Sequence, residues 1–514
     1  MTPSEDLFEL IRALKKSEKR HFKLFTGKHV VGEGNFYIQL FDAIEKQEKY
    51  DEQEIKKMLK DTASIKHLPM HKNYLYTLVL KSLRVFYSNK TKTLQTKELL
   101  EYAEILYIKK QYTQASKILK KIKSIVHENE NYFHLLEALW FEKNIATATS
   151  YQNMELKGED KILKEETLAL GEYKLQCELW NLRIKAAMLN KVYGSAVSNT
   201  KRKEFLAIIN DPILSQPSGS QMSKESAYSI LSTCYYSIGD LMNSVTYLKK
   251  SLDIIADHPA RIVEKPLAYV QTTNNLVTLS IQLNKYDDAI DAIRKLRSVL
   301  AIGKTPDTGI EVEIFQYGYT CEMQLVIKMG TFENSSRIIE EVMSGLRKFK
   351  NSIRPLHSIS LPYFISYLHF INGNFRDSLK WCNKVIKEEN LTRTNIQVEA
   401  RFILLAVRYE MDDTEMINYH LKAVKKYVEE MCERKEFPVY YIMLNFFENL
   451  DSAGGGSQIS TLLEETRSKL SNVQQSSPVI FDFTSWLESH LRKKSFAEII
   501  RQKAEATSRQ VHGY

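Results

Sequence analysis

The chain has little of what breaks helices: 18 Gly and 11 Pro in 514 residues. So few turn formers exclude a fold of many short strands and suit long helices. Cysteine is scarce as well. Cys177, Cys234, Cys321, Cys382 and Cys432 stand far apart with no CxxC pair. Neither a disulfide-built secreted domain nor a clustered zinc site fits that spacing. No stretch approaches the ~20 apolar residues that span a bilayer. The opening MTPSEDLFELIRALKKSEKR lacks the apolar core of a signal peptide. The expectation is a cytoplasmic protein with reduced, mostly buried thiols and no membrane insertion.

Signatures of chemistry are missing too. Gly27-Lys28 and Gly32-Glu33-Gly34 lack phosphate-loop spacing and no strand precedes them, so a loop from Gly27 to Gly34 joining two helices is expected. His67 and His71 are four apart, but Pro69 lies between them and no HExxH surrounds them. They are expected as surface histidines beside a helix start near Leu68, not as metal ligands. No nucleophile sits in a GxSxG elbow and no Cys has an activating His neighbour. Glu165 and Glu166 belong to a charged helix face. No catalytic residue, metal or cofactor is expected.

What is present is 43% hydrophobic and 26% charged, a globular composition. The length exceeds what one compact core serves, so several domains or a repeat array is expected. Net charge is +9. Residues 1–150 hold about 26 basic against 19 acidic side chains, about +7 of it. A solvated helical surface accounts for that excess, which would also attract an acidic protein face, anionic lipid or nucleic acid.

Three regions separate: a basic helical head over 1–92, a run of helix pairs over 93–430, and a helical tail over 431–514 interrupted at Gly454-Gly455-Gly456. In the head, Ser4 and Ser17 are placed to cap helices through Leu14 and Phe25. Helices follow over Phe36–Gln47, over Asp51–Leu59 capped by Asp51, and roughly over Lys72–Ser88. In the tail, Phe481 to about Ala504 is expected as one helix that caps the array.

Five stretches share one pattern: LYIKKQYTQAS, YYSIGDLMNSV, SIQLNKYDDAI, VIKMGTFENSS and HFINGNFRDSL. They align on Lys110, Gly239, Asn284, Gly330 and Gly373. Two residues later stands a large side chain (Tyr112, Leu241, Tyr286, Phe332, Phe375), and five later a small one (Ala115, Ser244, Ala289, Ser335, Ser378). Four of the five anchors are Gly or Asn, which tolerate left-handed backbone at a helix end. The small residue lets a second helix approach the first closely. An abrupt stop, a plug and a small residue define a helical hairpin.

The pattern resembles the tetratricopeptide repeat, in which a small residue follows the turn Gly by five. Tyr228, Leu231 and Tyr235 fall where that family prefers Trp, Leu and Tyr, and Leu276 on the next Leu position. Pro259 lies where a pair ends. Anchor spacings of 45, 46 and 43 residues exceed the ~34 of the standard repeat, as in divergent long repeats of some bacterial regulators. The interval from Lys110 to Gly239 leaves room for two weaker units with turns near Asn153 and Gly194, and another unit turns near Asp412.

The resemblance implies an all-α superhelical solenoid whose first helices line a concave face that receives a protein or peptide. Projected onto this chain, the lining comprises Ser229, Thr233 and Tyr236, then Asn274 and Thr278. Tyr317, Thr320 and Gln324 follow, then Tyr363 and Tyr367. The set lacks the Lys and Asn residues by which chaperone-binding members hold a terminal carboxylate. A non-catalytic protein-binding adaptor or scaffold is the expected function. The alternative is a peptide-responsive regulator that binds nucleic acid through the head, where Asp51–Leu59 and a helix bearing Lys72, Lys81 and Arg84 loosely resemble a helix-turn-helix. That alternative is fold-level analogy.

Overall fold

The computed structural model describes residues 3–29, 34–59, 67–88, 90–152, 158–193, 199–257, 262, 266–302, 308–350, 352–388, 394–432, 437–450, 452–453, 456–471, 473 and 479–512. Among them every regular element is a helix. Asn153, Gly194, Pro259, Gly32, Glu33 and Gly454-Gly455 lie outside the described residues. The chain divides into two compact units, Met1–Lys174 and Leu175–Tyr514.

The first unit opens with α1 (Pro3–Ala13), α2 (Lys16–His29), α3 (Gly34–Glu45), α4 (Glu52–Met58) and α5 (Leu68–Tyr87). Leu7, Ile11, Phe22, Phe41, Ile55 and Leu75 meet in one core. Asp51 caps α4 by accepting from the Gln53 and Glu54 amides. Ser4 and Ser17 lie inside α1 and α2 rather than capping them. Helix α2 also runs through Gly27 to His29, where a loop was expected, and Thr26 Oγ1 donates to the Phe22 carbonyl at 2.9 Å in that last turn. His71 is not a surface residue. It is buried, with Nδ1 3.0 Å from the Tyr37 hydroxyl. His67 is exposed.

After the head come α6 (Lys92–Ile108), α7 (Tyr112–Glu128), α8 (Tyr132–Ala148) and α9 (Gly158–Tyr193). The unit boundary falls inside α9. Leu100, Ala103, Leu119, Ile122, Leu139 and Ala169 form a second core in the first unit. Between Lys110 and Gly239 the turns expected near Asn153 and Gly194 fall in the intervals that separate α8 from α9 and α9 from α10. A turn at Glu130 (φ 53°) joins α7 to α8, and α9 is a single 36-residue helix.

The second unit continues with α10 (Asn199–Ile209), α11 (Pro212–Ser215), α12 (Gln221–Ser237) and α13 (Leu241–Ala256). Then come α14 (Pro266–Gln282), α15 (Tyr286–Ile302), α16 (Thr308–Met329), α17 (Ser335–Lys348), α18 (Pro355–Ile371), α19 (Phe375–Ile386), α20 (Thr394–Glu410) and α21 (Thr414–Met431). The last are α22 (Pro438–Asn449), α23 (Gly456–Ser471), α24 (Phe483–Arg492) and α25 (Phe496–His512). The pairs α12/α13, α14/α15, α16/α17, α18/α19 and α20/α21 pack as helical hairpins, and α14, α16, α18 and α20 touch in succession.

All five aligned anchors have left-handed backbone: φ is 59° at Lys110, 82° at Gly239, 57° at Asn284, 67° at Gly330 and 73° at Gly373. Asp412 joins them at 53°. The small residue five positions on is buried in every pair. In two pairs it is hydrogen-bonded to the residue seven before the anchor, reciprocally in one of them. Ser366 Oγ donates to the Ser378 carbonyl and Ser378 Oγ to that of Ser366, both at 2.9 Å. Ser244 Oγ donates to the Ser232 carbonyl at 2.9 Å. The hydroxyls satisfy one another where backbones come too close for larger side chains.

The tail is not a single helix. Lys493 adopts φ 52°, and a capping box starts α25: Ser495 N–H donates to Glu498 Oε2 at 3.1 Å and Glu498 N–H to Ser495 Oγ at 3.2 Å. One core runs from Phe315 to Ile500, so Tyr440, Phe447, Leu463, Phe481, Trp486 and Ile500 share the interior of the last pairs. Replacing Ser378 by Leu at that close contact should destabilise the second unit by about 1–3 kcal/mol. Urea unfolding of the full chain measures it; an unchanged midpoint would contradict this account of the pair.

Candidate protein-binding face

Relative to the anchors, the lining residues fall in a fixed register. Ser229, Asn274, Thr320 and Tyr363 each stand ten before a turn anchor, and Thr233, Thr278, Gln324 and Tyr367 six before. Each is on the first helix of its pair. Thr233 and Tyr236 are exposed, Tyr236 by 48%. Ser229, Asn274, Thr278, Tyr317, Thr320 and Gln324 are half-buried.

Part of this row is knitted together. Asn274 Oδ1 accepts from the Cys321 thiol at 2.9 Å, linking α14 to α16. The Thr320 hydroxyl donates to the Gln316 carbonyl at 2.7 Å and lies 3.3 Å from His357 Nδ1. Tyr317 meets the His357 ring edge-on at 4.8 Å. Thr233 and Thr278 turn their hydroxyls back onto the carbonyls of Ser229 and Asn274, both at 3.0 Å.

Tyr363 and Tyr367 depart from the expectation. Both are fully buried and offer nothing to an incoming partner. The segment 479–482, which has no regular structure, covers them. Phe481 is 4.8 Å from the Tyr367 ring, and Asp482 N–H donates to the Tyr367 oxygen at 3.0 Å.

Glu399 of α20 fixes this strap. Its Oε1 accepts from Ile480 N–H at 3.0 Å and from the Tyr440 hydroxyl at 3.3 Å. Its Oε2 accepts from Phe481 N–H at 2.8 Å and from the Tyr363 hydroxyl at 2.5 Å. Burial pushes the Glu399 carboxyl above the usual range, against four hydrogen bonds that favour the charged form. Burial likewise raises Tyr363 and Tyr440, with the nearby carboxylate adding to it. Sequence reading missed Glu399. Its signal was a lone acid in the apolar run Val398-Glu399-Ala400-Arg401-Phe402-Ile403.

Cys234, Cys321, Cys382 and Cys432 are buried and Cys177 exposed. Burial pushes the thiols of Cys234, Cys321 and Cys382 up to about 12, which holds them protonated. Among the described residues no group of three or more His, Cys, Asp or Glu side chains is placed to hold a metal ion, and no helix is long and apolar enough to cross a membrane.

In the head, Lys72 does not face outward as a groove-reading helix would require. It is buried, 2.9 Å from the Tyr50 hydroxyl and 2.5 Å from Glu52. Arg84 is 3.5 Å from Glu101, and Lys81 is exposed. Hydrogen bonds from Lys56 and Lys72 lower the Glu52 carboxyl to about 2.

No family model matches the chain, and no curated protein matches it. Among solved structures, the chain is similar to the crystal structure of the P58(IPK) TPR domain. The two are 12% identical with a TM-score of 0.23, over 80% of this chain and 99% of that one. A likeness at that score carries no weight for helix placement or function. The fold rests on the turns and pairs themselves: an all-α array of tetratricopeptide-like helix hairpins.

Glu399→Ala strands four buried donors and should cost at least about 3 kcal/mol, with faster hydrogen exchange at the Ile480 and Phe481 amides. Unchanged exchange would refute the pinning role. A raised carboxyl stabilises the fold most below the ordinary glutamate range and loses that contribution as pH rises through its folded value. The stability gap between wild type and Glu399→Gln should therefore narrow with rising pH. Glu52 has the opposite sign. Its contribution is present above about pH 4.5 and is lost as pH falls toward 2. Glu52→Gln should flatten the head's acid unfolding in that window, followed by far-ultraviolet circular dichroism.

Proposed function

We propose that the chain is a non-catalytic adaptor that holds a segment of a protein partner across the first helices of its second unit. The observation that carries this reading is the strap. At the pair α18/α19, the positions ten and six before the anchor, Tyr363 and Tyr367, already lie under a non-helical chain segment. The same two positions on α12, α14 and α16 carry Ser229/Thr233, Asn274/Thr278 and Thr320/Gln324, exposed or half-buried.

Those residues supply amide and hydroxyl groups beside the flat rings of Tyr236 and Tyr317. Such a surface recognises backbone and neutral polar side chains rather than a single charge. An extended segment is the fitting ligand, since its main chain presents donors and acceptors at regular intervals. The nucleic-acid alternative gains nothing from Lys72, whose charge is engaged by Glu52.

Crosslinking with mass spectrometry on partners recovered by the full chain tests the proposal. Wild type should yield crosslinks close to Thr233, Tyr236, Asn274 and Gln324. The double variant Thr233→Glu, Tyr236→Ala, at exposed positions, should recover the partner at least ten-fold less well. Equal recovery, or crosslinks confined to second helices, would overturn the reading.

A further inference from the structure

A different surface, in the first unit, carries an apolar face with no partner. Helices α8 and α9 run side by side there: Phe133 and Tyr173 rings are 5.9 Å apart, and Lys143 pairs with Glu166 at 2.5 Å. Their inner faces are spent on the core through Leu135, Leu139, Ile145 and Ala169. Outward they present Phe133 (54% exposed), Trp140 (56%), Leu163 (61%), Leu170 (53%) and Tyr173 (37%). Phe133 and Trp140 are seven residues apart, as are Leu163 and Leu170. Seven residues are two helical turns, so each pair forms a ridge on one helix face.

The face continues into a cleft of about 300 Å³, lined by Ala146, Thr147, Tyr151, Ile162 and Leu163 with the Lys143–Glu166 pair. The 17 residues of α8 span about 25 Å at 1.5 Å each. Scattered exposed apolar side chains are ordinary, but aromatics and leucines in line on two adjacent helices mark an interaction site.

We propose that this groove receives an amphipathic helix from another protein, with apolar residues recurring at heptad spacing and acids along the flank toward α9. The shape is that of a helix seated between two others, its knobs falling between Phe133 and Trp140 on one side and Leu163 and Leu170 on the other. The acidic flank follows from charge. On the side of α9 away from α8, exposed Lys164 and Lys174 flank the Leu163–Leu170 ridge with one exposed acid, Asp160, among them. On the α8 side, Glu137 lies 3.3 Å from His134 Nδ1. A second copy of this chain would set that basic rim against like charge, which disfavours self-pairing.

The probe is a fluorescein-labelled synthetic helix of 18 residues, with Leu at heptad a and d positions, Glu along one flank and Gln along the other. Binding to the full chain is read by anisotropy at low salt. The proposal predicts saturable binding, protection of amides in 132–148 and 160–173 from exchange, and at least ten-fold weaker binding to Trp140→Glu and to Leu170→Glu. Trp140→Phe should retain most of the affinity, and a peptide with Lys in place of Glu should bind more weakly. The double variant Thr233→Glu, Tyr236→Ala should bind the probe as wild type does, which separates this site from the face of the second unit. The proposal is overturned by absent saturation, by equal binding of a shuffled peptide, by preference for the Lys peptide, or by unchanged affinity in both Glu variants. It is also overturned if the chain alone sediments as a dimer that Trp140→Glu makes monomeric.

Discussion

A single buried carboxylate organises the last third of the second unit. Glu399 sits in an apolar helix with no exposure and accepts from two tyrosine hydroxyls and two consecutive backbone amides. Isolated, such a group would be costly to bury. With four donors it becomes a clamp, because each donor would itself be stranded without it. The clamp joins α18, α20 and α22 to the strap, and the strap places Phe481 against Tyr367, Phe370 and Phe496. The tail is therefore held by polar contacts at one point and by aromatic packing around it.

The repeating part depends on a smaller constraint, the closeness of two helices just beyond a left-handed turn. The residues seven before and five after the anchor are Ala103 and Ala115, Ser232 and Ser244, Val277 and Ala289, Met323 and Ser335, Ser366 and Ser378, all buried. At least one of each two is small. A bulkier residue on the first helix is matched by a small one on the second, as close packing requires. That exchange explains why the repeat looks degenerate as text while the turn geometry stays the same.

Much of the fold was legible because turn chemistry is local. Gly239, Gly330, Gly373 and Asn284 announce left-handed turns by residue type, and Asp51 announces a cap. Lys110 and Asp412 announce it only by register, and Glu130 not at all. The tail break at Lys493 was hidden because both sides of it are apolar at helical spacing, although Ser495 and Glu498 carry the capping-box signature. The candidate face was legible as a row of positions but not in its accessibility. Nothing near Tyr363 or Tyr367 in sequence foretells that residues more than a hundred positions later cover them. Lys72 was illegible for the same reason, and Glu399 showed only as an acid among apolar neighbours: what decides whether a charge is buried lies on other helices.

The central claim is that one register on the first helices, ten and six residues before each turn, is where this array holds extended chain. The most direct measurement is a residue-resolved hydrogen-exchange or crosslinking footprint of the full chain with a captured partner. The account predicts new protection over 229–236, 274–278 and 317–324, with the strap and Glu399 unchanged. Protection confined to the second helices α13, α15 and α17 would contradict it.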